Sequence, residues 1–233
     1  MPAYKHQKDL VSVAFGQQPV PKGNKGLQAY KFLVEYRFFE VLNNAYPLFT
    51  QHVDAARFEE VVIAFMRYGA RAPFMWKVPN EFRTFIKKQK HFSHLPYVHD
   101  LLWFEWTEVA LMMKNYHPQK HASFSWKNPY TLSPSAVLKK LSYRVFEEGA
   151  YAQKGEYFLL AYYDFDKKRV FYRELAPPLY LFLKALKQGG VHNALETICR
   201  LSDETPTAVK AFFEPPLTEL LSLHIIQRNP SCP

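Results

Sequence analysis

The sequence predicts an α+β protein of two domains, an all-helical N-terminal bundle and a C-terminal winged-helix-like domain with a β-hairpin. Three observations carry that reading. Apolar residues recur at helical spacing through the first half of the chain. In the second half, "EYFLLAYYD" and "RVFYREL" are aromatic and branched runs separated by the turn "FDKK". Between the halves, "NYHPQKHASFSWKNPYTLSPS" mixes Pro, Ser, Asn and His with no helical period. It therefore reads as a linker over 116–134, separating domains 1–115 and 135–233.

Taken in order, residues 5–15 form a first helix ended by the turn-rich "GQQPVPKGNKG". A long helix follows from about Leu27 to Tyr46 and stops at Pro47. Val34, Phe38, Val41 and Ala45 form one apolar stripe on it, and Phe32, Tyr36, Phe39 and Tyr46 gather on a second, with Lys31 and Glu35 between them. A surface helix needs only one such stripe. Burial of Phe32 and Phe39 would make the second stripe architecture, and joint exposure would make it a docking surface; burial is the expectation for both.

"DAARFEEVVIAFMRYGA" is an amphipathic helix with Asp54 as its N-cap and Gly69 at its C-terminal end. "PNEFRTFIKKQ" places Phe82, Phe85 and Ile86 on one face, and Pro96 starts the helix of "PYVHDLLWFEWTEVALMM". After the hairpin, "APPLYLFLKALKQGG" is a helix stopped by two glycines and "VHNALETICRL" is a second. Thr205–Pro206 opens a third, and "LTELLSLHII" closes the chain as a helix with a short extended end.

Size and composition limit the function classes. With 233 residues, 48% of them hydrophobic and 17% aromatic, the chain can bury substantial cores. It has no apolar run of spanning length and no secretory signal, so no membrane is expected. Two cysteines, Cys199 and Cys232, fit a reducing compartment, and the cytoplasm is the expected location. The net charge of +9 is spread over both halves, with 15 Lys/Arg against 10 Asp/Glu in 1–115 and 15 against 11 in 116–233. Such diffuse charge favours acidic partners without marking a face.

Catalytic patterns are scarce. Phosphate-cradling glycine loops and the G-x-S-x-G elbow do not occur, and eight glycines leave little material for them. "HFSHLPYVHD" carries His91, His94, His99 and Asp100, but it spans a helix end, a loop and a new helix. Nothing in that spacing aims the rings together, so it reads as turn and helix histidines rather than a metal site. Arg37 is a candidate ion-pair partner for Asp100 or Glu105. No catalytic role, cofactor or metal is assigned.

A hairpin with three helices admits two uses. In DNA binding the third helix enters the major groove and the hairpin touches the backbone. Lys167, Lys168, Arg169 and Lys210 are the residues for that role, yet "TPTAVKAFFE" offers Lys210 as its one basic group. In peptide capture the hairpin edge accepts an extended strand through main-chain hydrogen bonds. Val170 and Tyr172 would serve from the hairpin, and Val209, Phe212 and Phe213 from the third helix. The apolar third helix favours the second use.

Several motifs in the first half resemble a known family. Tyr36–Arg37 is followed by Tyr46–Pro47, where the family has Phe-Pro, and then by Phe58 and its helix. "PYVHDLLWFEW" parallels the family's P-Y-L-x-D-L-A-x-L-E-W. Residues 5–110 thus resemble the bacterial family long labelled DNA-binding and now associated with HvfC/BufC-type peptide-modification chaperones. Phe38–Phe39 departs from it, since Asn-Asn is more usual there. The second half is similar, more loosely, to winged-helix domains that recognise leader peptides. The resemblance implies a non-catalytic adaptor that holds a Cys-containing precursor peptide for a multinuclear iron-dependent oxidase. Tyr36, Arg37, Tyr46, Pro47, Pro96, Tyr97, Asp100, Glu105 and Trp106 would then dock the oxidase.

Overall fold

The computed structural model describes residues 10–72, 74–119 and 123–229 and is α+β. The chain divides into two compact units, Met1–Val109 and Ala110–Pro233.

In the first unit, helix α1 spans Lys25–Ala45 and is capped by Asn24, whose Oδ1 accepts the Leu27 N–H at 2.9 Å. Proline at position 47 cannot donate into α1, so the helix ends and a short helix, α2 (Pro47–Gln51), starts in a new direction. Helix α3 (Ala55–Tyr68) begins as the sequence predicts, with Asp54 Oδ1 accepting the Arg57 N–H at 2.9 Å. It ends on Gly69 in the left-handed region at φ 100°. Helix α4 (Val78–Gln89) and helix α5 (Val98–Met112) complete the unit, the division between units falling within the last turn of α5. α5 starts two residues beyond Pro96, after a turn over 91–97. Residues 10–14 are helical, and Phe15 meets Phe38 edge-on at 5.4 Å; the rest of the expected first helix lies outside the described residues.

The core of this unit is aromatic. Phe82 of α4 touches Tyr46, Phe58 and Phe65 at centroid distances of 6.1, 6.0 and 5.4 Å, and Phe49 meets Phe92 at 5.2 Å. Most of these pairs are edge-to-face, the arrangement that ring quadrupoles favour. Tyr46 is fully buried and donates its hydroxyl to the Pro79 carbonyl at 2.6 Å.

In the second unit, β2 (Ala136–Tyr143), β3 (Lys154–Asp164) and β4 (Arg169–Glu174) form an antiparallel sheet in that spatial order. The β3–β4 hairpin is the predicted one, and β2 adds a third strand that the sequence reading did not name. Asp164 Oδ1 accepts the Asp166 and Lys167 N–H groups and so shapes the hairpin turn. Strand β1 (Tyr130–Leu132) pairs with β5 (Ile226–Arg228), with Tyr130 opposite Arg228. β1 falls within the stretch read as linker: its Tyr130 is buried and stacks on Phe124 at 5.1 Å. Aromatic burial fixes this strand although the proline and serine around it signal loop.

Helix α6 (Pro177–Ser202) holds the two expected helices joined by a bend at Gly189–Gly190. Helix α7 (Pro206–Ser222) is capped by Thr205 Oγ1 and passes through Pro215–Pro216, taking in most of the segment read as a separate last helix. Leu160, Leu183, Leu186, Phe213, Leu217 and Leu220 belong to one buried core between sheet and helices.

Two substitutions test these joints. Gly190 sits at φ 75°, ψ −169°, a region essentially reserved for glycine. Gly190→Ala is expected to destabilise the protein by about 1–3 kcal/mol in chemical denaturation. Tyr46→Phe strands the buried Pro79 carbonyl and should cost about 1–3 kcal/mol in the same assay.

Candidate functional site

The residues expected to dock a partner divide by burial. Tyr36, Arg37, Pro47 and Pro96 are exposed, Asp100 and Trp106 are half-buried, and Tyr46, Tyr97 and Glu105 are buried. The buried three serve the interior of the first unit and offer no surface to a partner. Arg37 pairs with Glu40 at 2.5 Å on its own helix, so the expected pairing with Asp100 or Glu105 gives way to a local one. Trp106 lies nearly parallel to Trp76, at 10° and 6.3 Å.

Glu105 is the most perturbed carboxyl in the unit. Its Oε1 accepts the Leu48 N–H at 2.6 Å and its Oε2 the Phe49 N–H at 3.1 Å. The carboxylate thus takes up orphan donors at the start of α2, where Pro47 has no N–H. It is only 6% exposed, and burial pushes its pKa up to about 7 despite the two donors, with Glu108 adding to the rise.

The two aromatic stripes of α1 do not behave alike along the helix. Phe38, Leu42 and Ala45 are buried, whereas Phe32 and Tyr36 are 64% and 61% exposed, with Leu33 and Tyr30 exposed beside them. Phe39 is half-buried against Phe58 at 6.4 Å. The expected burial of Phe32 is therefore overturned: the helix outruns its neighbours at its N-terminal half. Lys31 and Glu35 pair at 3.5 Å on the meridian between the stripes.

In the second unit the sheet register decides what β4 offers. Leu175 N–H bonds to the Phe158 carbonyl at 2.7 Å, and Tyr163 N–H bonds to Ser135 at 2.9 Å toward β2. Antiparallel alternation then makes Arg173 and Phe171 bond toward β3 and turns the main-chain groups of Val170 and Glu174 toward the open edge. Side chains alternate as well. Arg173 pairs with Glu219 of α7 at 2.7 Å, and Phe171 stacks on Tyr162, which packs against the helix-side core. Phe171 and Arg173 thus share the helix side of β4, and the side chains of Val170 and Tyr172 project from the other face. Strand periodicity held this signal, but the face could not be chosen before the helices were placed.

Helix α7 also sorts its residues. Val209 and Phe213 are buried in the core, with Phe213 stacked on Phe182 at 4.7 Å. Neither is available to a ligand as an exposed side chain. Phe212 is 67% exposed. It lines a mainly apolar groove of about 340 Å³ with Pro178, Ile198, Ser202, Glu204 and Ala208, and Val209 and Phe213 form its floor. Phe212 and Glu219 are seven residues apart, which brings them within about 20° on one helix face. The groove therefore lies two turns along α7 from the Arg173–Glu219 pair, and Pro178, four residues beyond the last residue of β4, is in its wall. Pro178 and Ile198, which line it, were not among the residues singled out from sequence.

The basic residues fall in two environments. Lys167, Lys168 and Arg169 are exposed at the hairpin turn, with Lys167 Nζ at 4.7 Å and Arg169 Cζ at 4.4 Å from the Phe171 ring centre. Lys210 lies over Trp126 at 6.0 Å, and the indole Nε1 donates to Glu214 Oε2 at 3.1 Å. Among the described residues no group of three His, Cys, Asp or Glu is arranged to hold a metal ion, and no helix is long and apolar enough to cross a membrane. Cys199 is a half-buried free thiol in α6, and Cys232 lies outside the described residues.

The raised pKa of Glu105 makes stability depend on pH. A carboxyl that holds its proton more tightly when folded stabilises the protein below about pH 4.5 and loses that contribution as pH rises through 7. Stability should fall by up to about 3 kcal/mol over that window in urea unfolding. In Glu105→Gln this limb of the pH profile should vanish; an unchanged profile would refute the assignment. No protein-family model matches the chain, and no curated protein matches it.

Proposed function

We propose that the protein is a cytoplasmic, non-catalytic adaptor that holds a precursor peptide for a partner iron-dependent oxidase, in keeping with the HvfC/BufC-type resemblance. The observation that carries the reading is the outer strand β4. The peptide would add to its edge as a further strand, using the main-chain groups of Val170 and Glu174. A groove containing exposed Phe212, walled in part by Pro178 four residues past the end of that strand, can take an apolar side chain. In this reading the second unit works as a winged-helix-like peptide reader. The exposed Phe32, Leu33 and Tyr36 of α1, beside Arg37, are the surface for the oxidase.

The competing reading is a transcriptional regulator that places α7 on DNA. The basic hairpin turn favours it. The chemistry of α7 weighs against it, because Lys210 is engaged with Trp126 and Glu214 stands beside it.

Isothermal titration with Cys-containing precursor peptides and with an iron-dependent oxidase of the peptide-modifying type tests the adaptor role. Binding is expected, and Val170→Pro should weaken it at least tenfold. That substitution removes an edge donor while leaving the β3–β4 ladder intact. Absence of binding to both the peptides and the oxidase would overturn the proposal, and sequence-selective DNA binding at physiological salt would replace it.

A further inference from the structure

We infer that the β4–α7 groove reads a peptide with a fixed order of side chains: an apolar anchor first, followed about six residues later by Asp or Glu. The inference rests on the peptide-binding reading above and adds the chemistry and direction of the ligand.

The two ends of the site differ in character. At the end of β4, the groove around Phe212 is walled by Pro178, Ile198 and Ala208, an environment for an aliphatic or aromatic side chain. At the start of β4, the hairpin turn presents Lys167, Lys168 and Arg169. Among the described residues none of these three enters an ion pair. Phe171 holds the Lys167 and Arg169 cations over its ring, which limits their freedom and keeps the charge beside the strand. Of the nearby acids, Asp164 is buried and spent on the turn amides, leaving Asp166 as the exposed counter-charge of the turn. Arg173, the penultimate residue of the strand, is already neutralised by Glu219. Uncompensated positive charge is thus concentrated at one end of the edge, and apolar surface at the other.

Direction follows from the sheet. Its existing pairs are all antiparallel, the pairing with the better hydrogen-bond geometry. A peptide added antiparallel to β4 has its N-terminal part near Glu174 and the Phe212 groove, and its C-terminal part beside Arg169. Arg169, Phe171 and Arg173 share one face, so the residue across from Arg169 on that face lies within reach of its guanidinium. Strand β4 is six residues long, about 20 Å in extended chain, which sets the separation between anchor and acid.

Selection of a random 14-residue displayed peptide library on the full chain tests this. The expected winners carry an apolar residue followed at about six positions by Asp or Glu. Their affinity should drop at least tenfold for Phe212→Ala and for the pair Lys167→Glu, Arg169→Glu, and should weaken with added salt. A milder pair, Lys167→Gln with Arg169→Gln, guards against loss of fold, and Lys168 is left in place because its φ of 52° is left-handed. Winners that lose affinity in Val170→Pro but show no acidic preference, or none sensitive to the charge changes, would overturn the inference and leave the peptide groove standing. Winners with the reverse order would overturn the stated direction. Winners indifferent to Val170→Pro and Phe212→Ala, or no winners, would overturn the groove itself.

Discussion

Pro47 is the constraint on which the first unit depends. It ends α1 after a long helical run and starts α2, and the break leaves main-chain donors inside an apolar interior. One carboxylate on α5 accepts two of them, and the hydroxyl of the preceding Tyr46 reaches the Pro79 carbonyl at the start of α4. A proline, a tyrosine and a glutamate thereby tie four helices together through polar contacts. The aromatic rings around Phe82 then fill the space those contacts define. Tyr46 and Glu105 are buried, and they satisfy the backbone around the break.

Charge and greasiness are arranged differently in the two units. In the first, α1 turns large apolar side chains outward at its N-terminal half, where Phe32 and Tyr36 are exposed. In the second, Phe212 is exposed at the rim of an apolar groove, and Lys167, Lys168 and Arg169 stand exposed together at the hairpin turn. A tight turn flanked by an aromatic residue is enough to gather three cations that the sequence spaces as an ordinary run.

The hairpin also shows how small a structural detail can redirect a functional reading. Val170 and Tyr172 are the residues the sequence offers from the hairpin for peptide capture. Register puts their side chains on the face away from α7, and gives the groove side to Phe171 and Arg173. A one-residue change of phase exchanges these sets. Val170 keeps a place in the proposed site through its main chain.

By itself the sequence determined the helix boundaries that rest on local chemistry: the Asp54 and Thr205 caps, the left-handed Gly69, the break at Pro47 and the bend at Gly189–Gly190. It also determined the β3–β4 hairpin, whose strands and turn are written in residue type. These features depend on neighbours within a few positions, so they are legible without a fold. Tertiary structure alone decided which stripe of α1 is covered, that Glu105 is a buried cap, that β1 and β5 pair across nearly 100 residues, and which face of β4 meets α7. Each of these turns on contacts between distant segments, where periodicity offers several faces and packing selects one.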